Sequence, residues 1–357
     1  MERQNKTNED DAAETFEALD SLSAQSTPEE VDAAIAKYST LLDGIIKDFN
    51  DVTRVSEIIS RAWTVPKYGH FIVNSLFKYL EECEGIDLIM TLNVTEELQL
   101  PFARLLEHCL KTESKTYVID NWLEKVVEVA CEENKKENYG VHVAILENLF
   151  DHDEATCSYV ANLGGLDVVL FGCRSSDIKT LRHCVTALLN VSLFCGPDNY
   201  EEIITDRKLN MWIFPLAFHD DDLIKYYASL AVCVIYFNAD TETRAEIMKS
   251  GVLDLVEPFV SSNNPSKFSE SDVSYTHEKS KNWLKRLVPL LSFSCEEVRT
   301  LAAFHFCMEA EFKSRDDSIG VLKEIGAIEQ LKKIAGPEES VISTYVSDAL
   351  KLMTEDL

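Results

Sequence analysis

The phrase "GGLDVVLFG", which begins at Gly164, returns in altered form three more times along the 357-residue chain. "EGIDLIMTL" from Glu84, "SGVLDLVEPFV" from Ser250 and "IGAIEQLKKIA" from Ile325 keep its order: a glycine, an acid two or three residues later, then aliphatics. A glycine followed by an acid in the first turn suits the entry of a short helix. The glycines, Gly85, Gly165, Gly251 and Gly326, stand 80, 86 and 75 residues apart, near twice a 40-residue unit. Intermediate units fill the gaps. "KLNMWIFPLAFHDDDLIKYYASLAVCVIYF" starts at Lys208, 43 residues from both Gly165 and Gly251, and "WLKRLVPLLSFSCEEVRTLAAFHFCMEAEF" starts at Trp283.

Each unit carries a helical stripe. In "TLRHCVTALLNVSLF", Leu181, Cys184, Val185, Leu188 and Leu189 fall at i, i+3, i+4, i+7 and i+8. One unit cannot bury such a stripe alone, whereas stacking on its neighbours does. The spacing therefore predicts an all-α fold, a right-handed α-solenoid of armadillo or HEAT-like repeats. Only 12 Gly and 9 Pro punctuate the chain, which agrees with long helical runs. The repeat domain is expected over 29–357, after an acidic, flexible segment at 1–28. Two places break the pattern: "AWTVPKYGH" at 62–70, and a polar connector at 261–282 containing Lys267, Lys279 and Lys281. At the first, Trp63 is either filler at a corner or an aromatic platform held on a turn by Pro66 and Gly69.

Composition removes several function classes. A formal charge of −28 sets a field that repels nucleic acid and anionic lipid, so no nucleic-acid partner is expected. No run approaches the roughly 20 apolar residues of a membrane span. Ten cysteines occur without a CxxC pair; Cys109, Cys157, Cys173, Cys184, Cys195, Cys233 and Cys307 lie in apolar runs and read as reduced core residues of a cytoplasmic protein. No GxSxG, P-loop, GxGxxG or HExxH is present, and the eight histidines are scattered, so neither a metal site nor a catalytic constellation is expected in this chain. The acids of "HDDDL" and "CEEVR" read as helix starts.

The stretches "ENLFDHDEATCSYVANLGGLDVVLFGCRSSDIKTLRHCVTALLNVSLF", "WIFPLAFHDDDLIKYYASLAV" and "SGVLDLVEPFVSS", with "RLVPLL", "AAFHFCMEAEFK" and "IGAIEQLKKI", resemble the armadillo region of the SARM family, the sterile-alpha-and-TIR-motif NAD+ hydrolases. The resemblance runs from about Trp63 to the end of the chain. It implies a regulatory region that binds NMN or NAD+ as an allosteric ligand and autoinhibits a TIR domain carrying the catalytic glutamate. In the family that activity links NAD+ depletion to axon degeneration and innate immune signalling. The implied partners are the SAM and TIR domains, neither of which lies in these residues.

The resemblance also implies site residues. Trp63 matches the family tryptophan that stacks on the nicotinamide ring, an interaction worth about 1–3 kcal/mol for a base on an aromatic. Glu107 falls on the family glutamate, and His108 replaces a glutamine. His70 and Lys115 stand where phosphate-binding arginines occur, Asn148 replaces a histidine, and Lys279 aligns with an arginine that closes over the ligand. Histidines at 70 and 108 imply binding that weakens above about pH 7, following the ordinary imidazole pKa near 6.5. Arg174 and Phe218 match positions that contact the TIR domain; by themselves they read equally as a solvated arginine and a core phenylalanine. The rival reading is a peptide-binding armadillo scaffold. It requires a ladder of asparagines on successive inner helices, for which Asn190 is the one clear candidate.

Overall fold

The computed structural model describes residues 16–23, 25–48, 52–65, 67–131, 139–269, 279–315, 319–335 and 340–355. Every regular element among them is helical, as the repeat pattern requires. The chain divides into two compact units, Met1–Leu149 and Phe150–Leu357.

The first unit holds α1 (Pro28–Asp48), α2 (Val52–Ala62), α3 (Gly69–Glu82), α4 (Gly85–Met90), α5 (Gln99–Cys109), α6 (Lys115–Ala130) and α7 (Tyr139–Phe150). In α2 the spacing of Val52, Val55, Ile58, Ile59 and Ala62 makes one buried stripe, which packs on α5 and α3. Each of the larger aliphatics stabilises that packing by about 1.5–3 kcal/mol. Of the acidic segment expected at 1–28, residues 1–15 and 24 lie outside the described residues, and the rest is tied down at a few points. Leu19 is buried, Asp20 pairs with Arg61 at 2.7 Å, and the Ser26 carbonyl accepts from the Tyr68 hydroxyl at 2.9 Å.

The turn between α2 and α3 is closed by Gly69, whose N–H donates to the Val65 carbonyl at 3.0 Å. A Cβ at this position would stand 2.7 Å from the Trp63 carbonyl oxygen and 3.1 Å from that of Ala62. Only glycine allows the start of α3 to sit so close to the backbone that carries Trp63. Pro66, expected to stiffen the same turn, lies outside the described residues.

In the second unit the repeats are complete. α8 (Glu154–Asn162), α9 (Gly165–Gly172) and α10 (Ile178–Phe194) form one unit of two short helices and a long one. α11 (Gly196–Tyr200), prolonged by a π-helical stretch over Glu201–Asp206, then α12 (Leu209–Ala217) and α13 (Asp222–Asn238) form the next. There follow α14 (Thr241–Ser250), α15 (Val256–Ser262), α16 (Pro265–Ser269), α17 (Lys281–Leu287), α18 (Glu296–Arg315), α19 (Gly320–Glu324), α20 (Ala327–Ile334) and α21 (Val341–Glu355). The connector expected at 261–282 is thus interrupted by α16, which buries Phe268 against Tyr226, Phe259 and Phe304; residues 270–278 lie outside the described residues.

The repeat is marked by a left-handed residue: Glu84, Gly164, Lys208, Gly251 and Gly326 all have φ between 52° and 95°. Lys208, the start of an intermediate unit, is therefore the equivalent of Gly164 and Gly251. In two units the motif glycine, Gly85 or Gly165, is the first helical residue instead, and the residue before it takes the turn. The motif acids also do more than favour a helix start. Asp87 accepts from the Tyr117 hydroxyl at 2.5 Å and the Trp122 indole at 2.7 Å, and Asp167 pairs with Arg207 at 2.7 Å, so each ties its unit to the next. Asp221 of "HDDDL" caps α13 through the Ile224 N–H and pairs with Arg182 of α10 at 2.7 Å. Asp153, Asp177 and Asp240 cap α8, α10 and α14 in the same way. Six of the seven cysteines read as core are buried; Cys173 is partly exposed.

Two glycines give opposite expectations. Gly69→Ala should destabilise the first unit by about 1–3 kcal/mol, since backbone must give way. Gly44→Ala, exposed within α1 with nothing near its missing Cβ, should stabilise by about 0.5–1 kcal/mol. Urea denaturation of both variants checks the pair; equal effects would refute the close approach at Gly69.

Candidate functional site

Three residues singled out from sequence come together in the first unit. The Trp63 ring lies 5.4 Å from the His70 ring, edge to face, and 5.9 Å from the His108 ring at a 34° tilt. Trp63 reaches the cluster from the turn after α2, His70 from the first turn of α3, and His108 from the last turn of α5. The Trp63 indole nitrogen is buried and has no hydrogen-bond partner among the described residues. A buried donor left unpaired costs about 1–3 kcal/mol, so an acceptor delivered there is favoured by a similar amount.

His108 Nε2 lies 3.0 Å from the Ser60 hydroxyl of α2. Burial pushes its pKa down to about 4, the Glu107 charge opposes this, and Lys111 and Arg104 add to the lowering. His108 is therefore neutral from pH 6 to 8. It cannot supply a charge that fades above pH 7, and the pH dependence expected from its residue type is corrected for this position: desolvation outweighs the neighbouring carboxylate.

Glu107, next to His108 on α5, pairs with Lys111 at 2.8 Å. The sequence does not single out Lys111; its one signal is the i, i+4 spacing from Glu107, an arrangement common on solvated helix faces. The pair sets an ammonium and a carboxylate together near His108. Lys115 is the first residue of α6 and is half-buried. Asn148, on α7, donates its amide to the Ala144 carbonyl at 2.8 Å within its own helix.

The other expected residues belong to the second unit. Lys279 is buried, with its ammonium 5.7 Å from the Tyr227 ring centre and 5.9 Å from that of Trp283. Arg174 is exposed and lies over the Trp212 ring at 5.0 Å. Phe218 is 53% exposed at the end of α12, which excludes the core reading of this residue. Asn190, the candidate for an asparagine ladder, is buried and its side-chain oxygen accepts from the Trp283 indole at 2.9 Å. Among the described residues no group of three or more His, Cys, Asp or Glu side chains is placed to hold a metal ion, and no single helix is long and apolar enough to cross a membrane.

Comparison with known proteins gives this arrangement its context. No protein-family model matches the chain. It is 47% identical over 360 aligned positions to NAD(+) hydrolase sarm1 of Drosophila melanogaster, covering 94% of this chain and 26% of that protein. It is 30% identical to NAD(+) hydrolase SARM1 of Danio rerio (86% and 44% covered) and 28% identical to NAD(+) hydrolase tir-1 of Caenorhabditis elegans (90% and 35%). The chain thus spans less than half the length of each of these relatives. Among solved structures, a designed armadillo repeat protein overlays with a TM-score of 0.42 at 17% identity, covering 74% of this chain and 97% of the design. With 94% of its length aligned to sarm1 at 47% identity, the chain belongs to the SARM family, as the counterpart of one segment of those longer proteins.

Proposed function

We propose that this chain is a metabolite-sensing regulatory region that binds NMN or NAD+ at the Trp63 cluster and restrains a TIR-domain NAD+ hydrolase. The observation that carries the reading is the buried Trp63 indole N–H, which has no acceptor among the described residues, on a ring 5.4 and 5.9 Å from two imidazoles and carried by a turn that Gly69 closes. The indole and the neutral His108 ring offer aromatic surface to a planar base, and the indole N–H offers a donor to a carboxamide or phosphate oxygen. Lys111 and Lys115 supply the cationic charge that a phosphate requires in a chain of net charge −28. Exchange of one nucleotide for the other switches the partner only if the two differ in affinity between its restrained and released states.

Arg174 and Phe218 support the partner side of the reading. An exposed phenylalanine and an arginine are suitable anchors for a protein interface. As the SARM relatives are NAD(+) hydrolases by name, the restrained activity is hydrolysis of NAD+. A cytoplasmic location fits the free cysteines. The scaffold reading is weaker because Asn190 is already engaged by Trp283.

Isothermal titration of the chain with NMN and with NAD+ should give micromolar binding, reduced at least tenfold in Trp63→Ala. Absence of heat with folded wild-type protein would overturn the nucleotide reading. In the parent protein, Phe218→Ser should raise basal NAD+ hydrolysis several-fold; unchanged activity would remove Phe218 from the interface.

The state of His108 sets a separate pH dependence. Between pH 6.5 and 4 the unfolded chain binds a proton that the folded chain refuses, so stability falls as pH drops through this window and is fully present above it. The loss due to this residue should be about 2 kcal/mol by pH 5. Urea denaturation at pH 7 and pH 5 should show His108→Gln to be less acid-sensitive than wild type by that amount. Identical slopes would show that His108 titrates normally.

A further inference from the structure

Thr27 and Pro28 form the one Ser/Thr-Pro dipeptide in the chain; the other eight prolines follow Val, Leu, Gly, Phe, Glu or Asn. The pair lies in the first unit, where an irregular stretch enters α1, and residues 27–30 are all exposed. Pro28 is the first residue of α1, a position whose N–H has no partner within the helix. The Thr27 hydroxyl accepts the Glu30 N–H at 3.4 Å, and the Glu30 carboxylate accepts the Thr27 N–H at 2.8 Å. This is a capping box whose hydroxyl arm is long and stands at the surface.

The same corner touches the turn that carries Trp63. The Ser26 carbonyl accepts from the Tyr68 hydroxyl at 2.9 Å, and the Lys67 ammonium lies 4.8 Å from the centre of the same Tyr68 ring. Thr27 and Lys67 are thus the chain neighbours of the two residues in this contact. Lys67 is exposed and holds a left-handed place in the turn, with φ 69°. A surface cation–π contact holds an ammonium loosely, whereas a phosphate takes it in a charge-assisted hydrogen bond.

We propose that Thr27 is a phosphoacceptor for a proline-directed protein kinase, and that Lys67 holds the phosphate and so ties the start of α1 to the Trp63 turn. A kinase of this class can read proline after its acceptor because proline brings no N–H to be buried unpaired. In the transfer the Thr27 oxygen bonds to the γ-phosphorus of ATP, the bond from that phosphorus to the ADP oxygen breaks, and the hydroxyl proton passes to the kinase's general base. The new group carries a charge of about −1.5 to −2 near neutral pH. It repels the carboxylates of Glu29 and Glu30, which opens the capping box, and draws the Lys67 ammonium away from the Tyr68 ring. The modification therefore acts on the turn between α2 and α3 without touching Trp63 itself.

The test treats the full chain with a mitogen-activated protein kinase and MgATP, beside a Thr-Pro control peptide, and locates phosphate by mass spectrometry. One phosphate is expected, on Thr27, and none on Thr27→Ala. Pro28→Ala keeps the acceptor hydroxyl and its capping partner and should also take none. The phosphorylated chain is then titrated by 31P NMR. A threonine phosphate ordinarily loses its second proton near pH 6, and an ammonium beside it lowers that pKa. Glu29 and Glu30 oppose the lowering equally in wild type and Lys67→Gln, so wild type should titrate at least about half a pH unit below the variant. An unmodified chain beside a modified control, phosphate on another residue, modification of Pro28→Ala, or equal titration of wild type and Lys67→Gln overturns the proposal. These readouts need neither NMN nor NAD+, so they stand apart from the reading of Trp63 as a nucleotide platform.

Discussion

Each unit of this chain displays, on its long helix, an apolar stripe that the unit itself cannot cover. Leu181, Cys184, Val185, Leu188 and Leu189 of α10 are all buried, and α13 of the following unit is a principal neighbour of that helix. The remaining order is built on this dependence. Polar rungs recur at the repeat distance, Arg182 to Asp221 and Arg207 to Asp167, and fix the register that apolar contact alone would leave loose. Asp221 serves twice, as a cap for its own helix and as an acceptor for the unit before it. Since every unit is held by its neighbours, a local defect weakens the adjoining units more than distant ones.

Stacking also explains how a site arises where no motif announces one. Trp63 and His108 come from different helices, and His108 is fixed by Ser60, 48 residues away. Packing against α2 desolvates the imidazole, which makes it neutral, and the buried Trp63 N–H has no acceptor among the described residues. A core side chain in that position would ordinarily have found a partner, because unpaired buried donors are rare. The combination of an aromatic cluster and a buried donor with no acceptor among the described residues is what separates this corner from ordinary packing.

The sequence made the period legible because glycine, acid and aliphatic run recur with it, and the family resemblance because long phrases keep their order. It even located the unit at Lys208, although a lysine there holds the left-handed turn that glycine holds elsewhere. Side-chain state was less legible. His108 looked like a titratable ligand because residue type carries a default pKa, whereas burial, which depends on a helix 48 residues away, sets the real one. Asn190 looked available for the same reason. Its partner Trp283 lies 93 residues on, beyond a connector whose polarity gave no sign that its far end returns to α10. Phe218 was ambiguous because a phenylalanine at a helix end can face either way.

Glu309 is the residue that most needs a reason. It is fully buried on α18, and a carboxylate in such a place is costly unless paired and hydrogen-bonded. His305, one turn before it, gives no positive charge, because burial and the charges of Lys279 and Lys313 hold its pKa well below the ordinary value. Lys313 lies 3.9 Å away as an ion-pair partner and donates to the Lys279 carbonyl. Glu309 also receives the Lys279 N–H, on both oxygens. An apolar residue in its place would take this acceptor from the buried Lys279 N–H, at a cost of about 1–3 kcal/mol. The Lys279 N–H and carbonyl are buried and must be paired for the chain to fold, and Glu309 and Lys313 pair them.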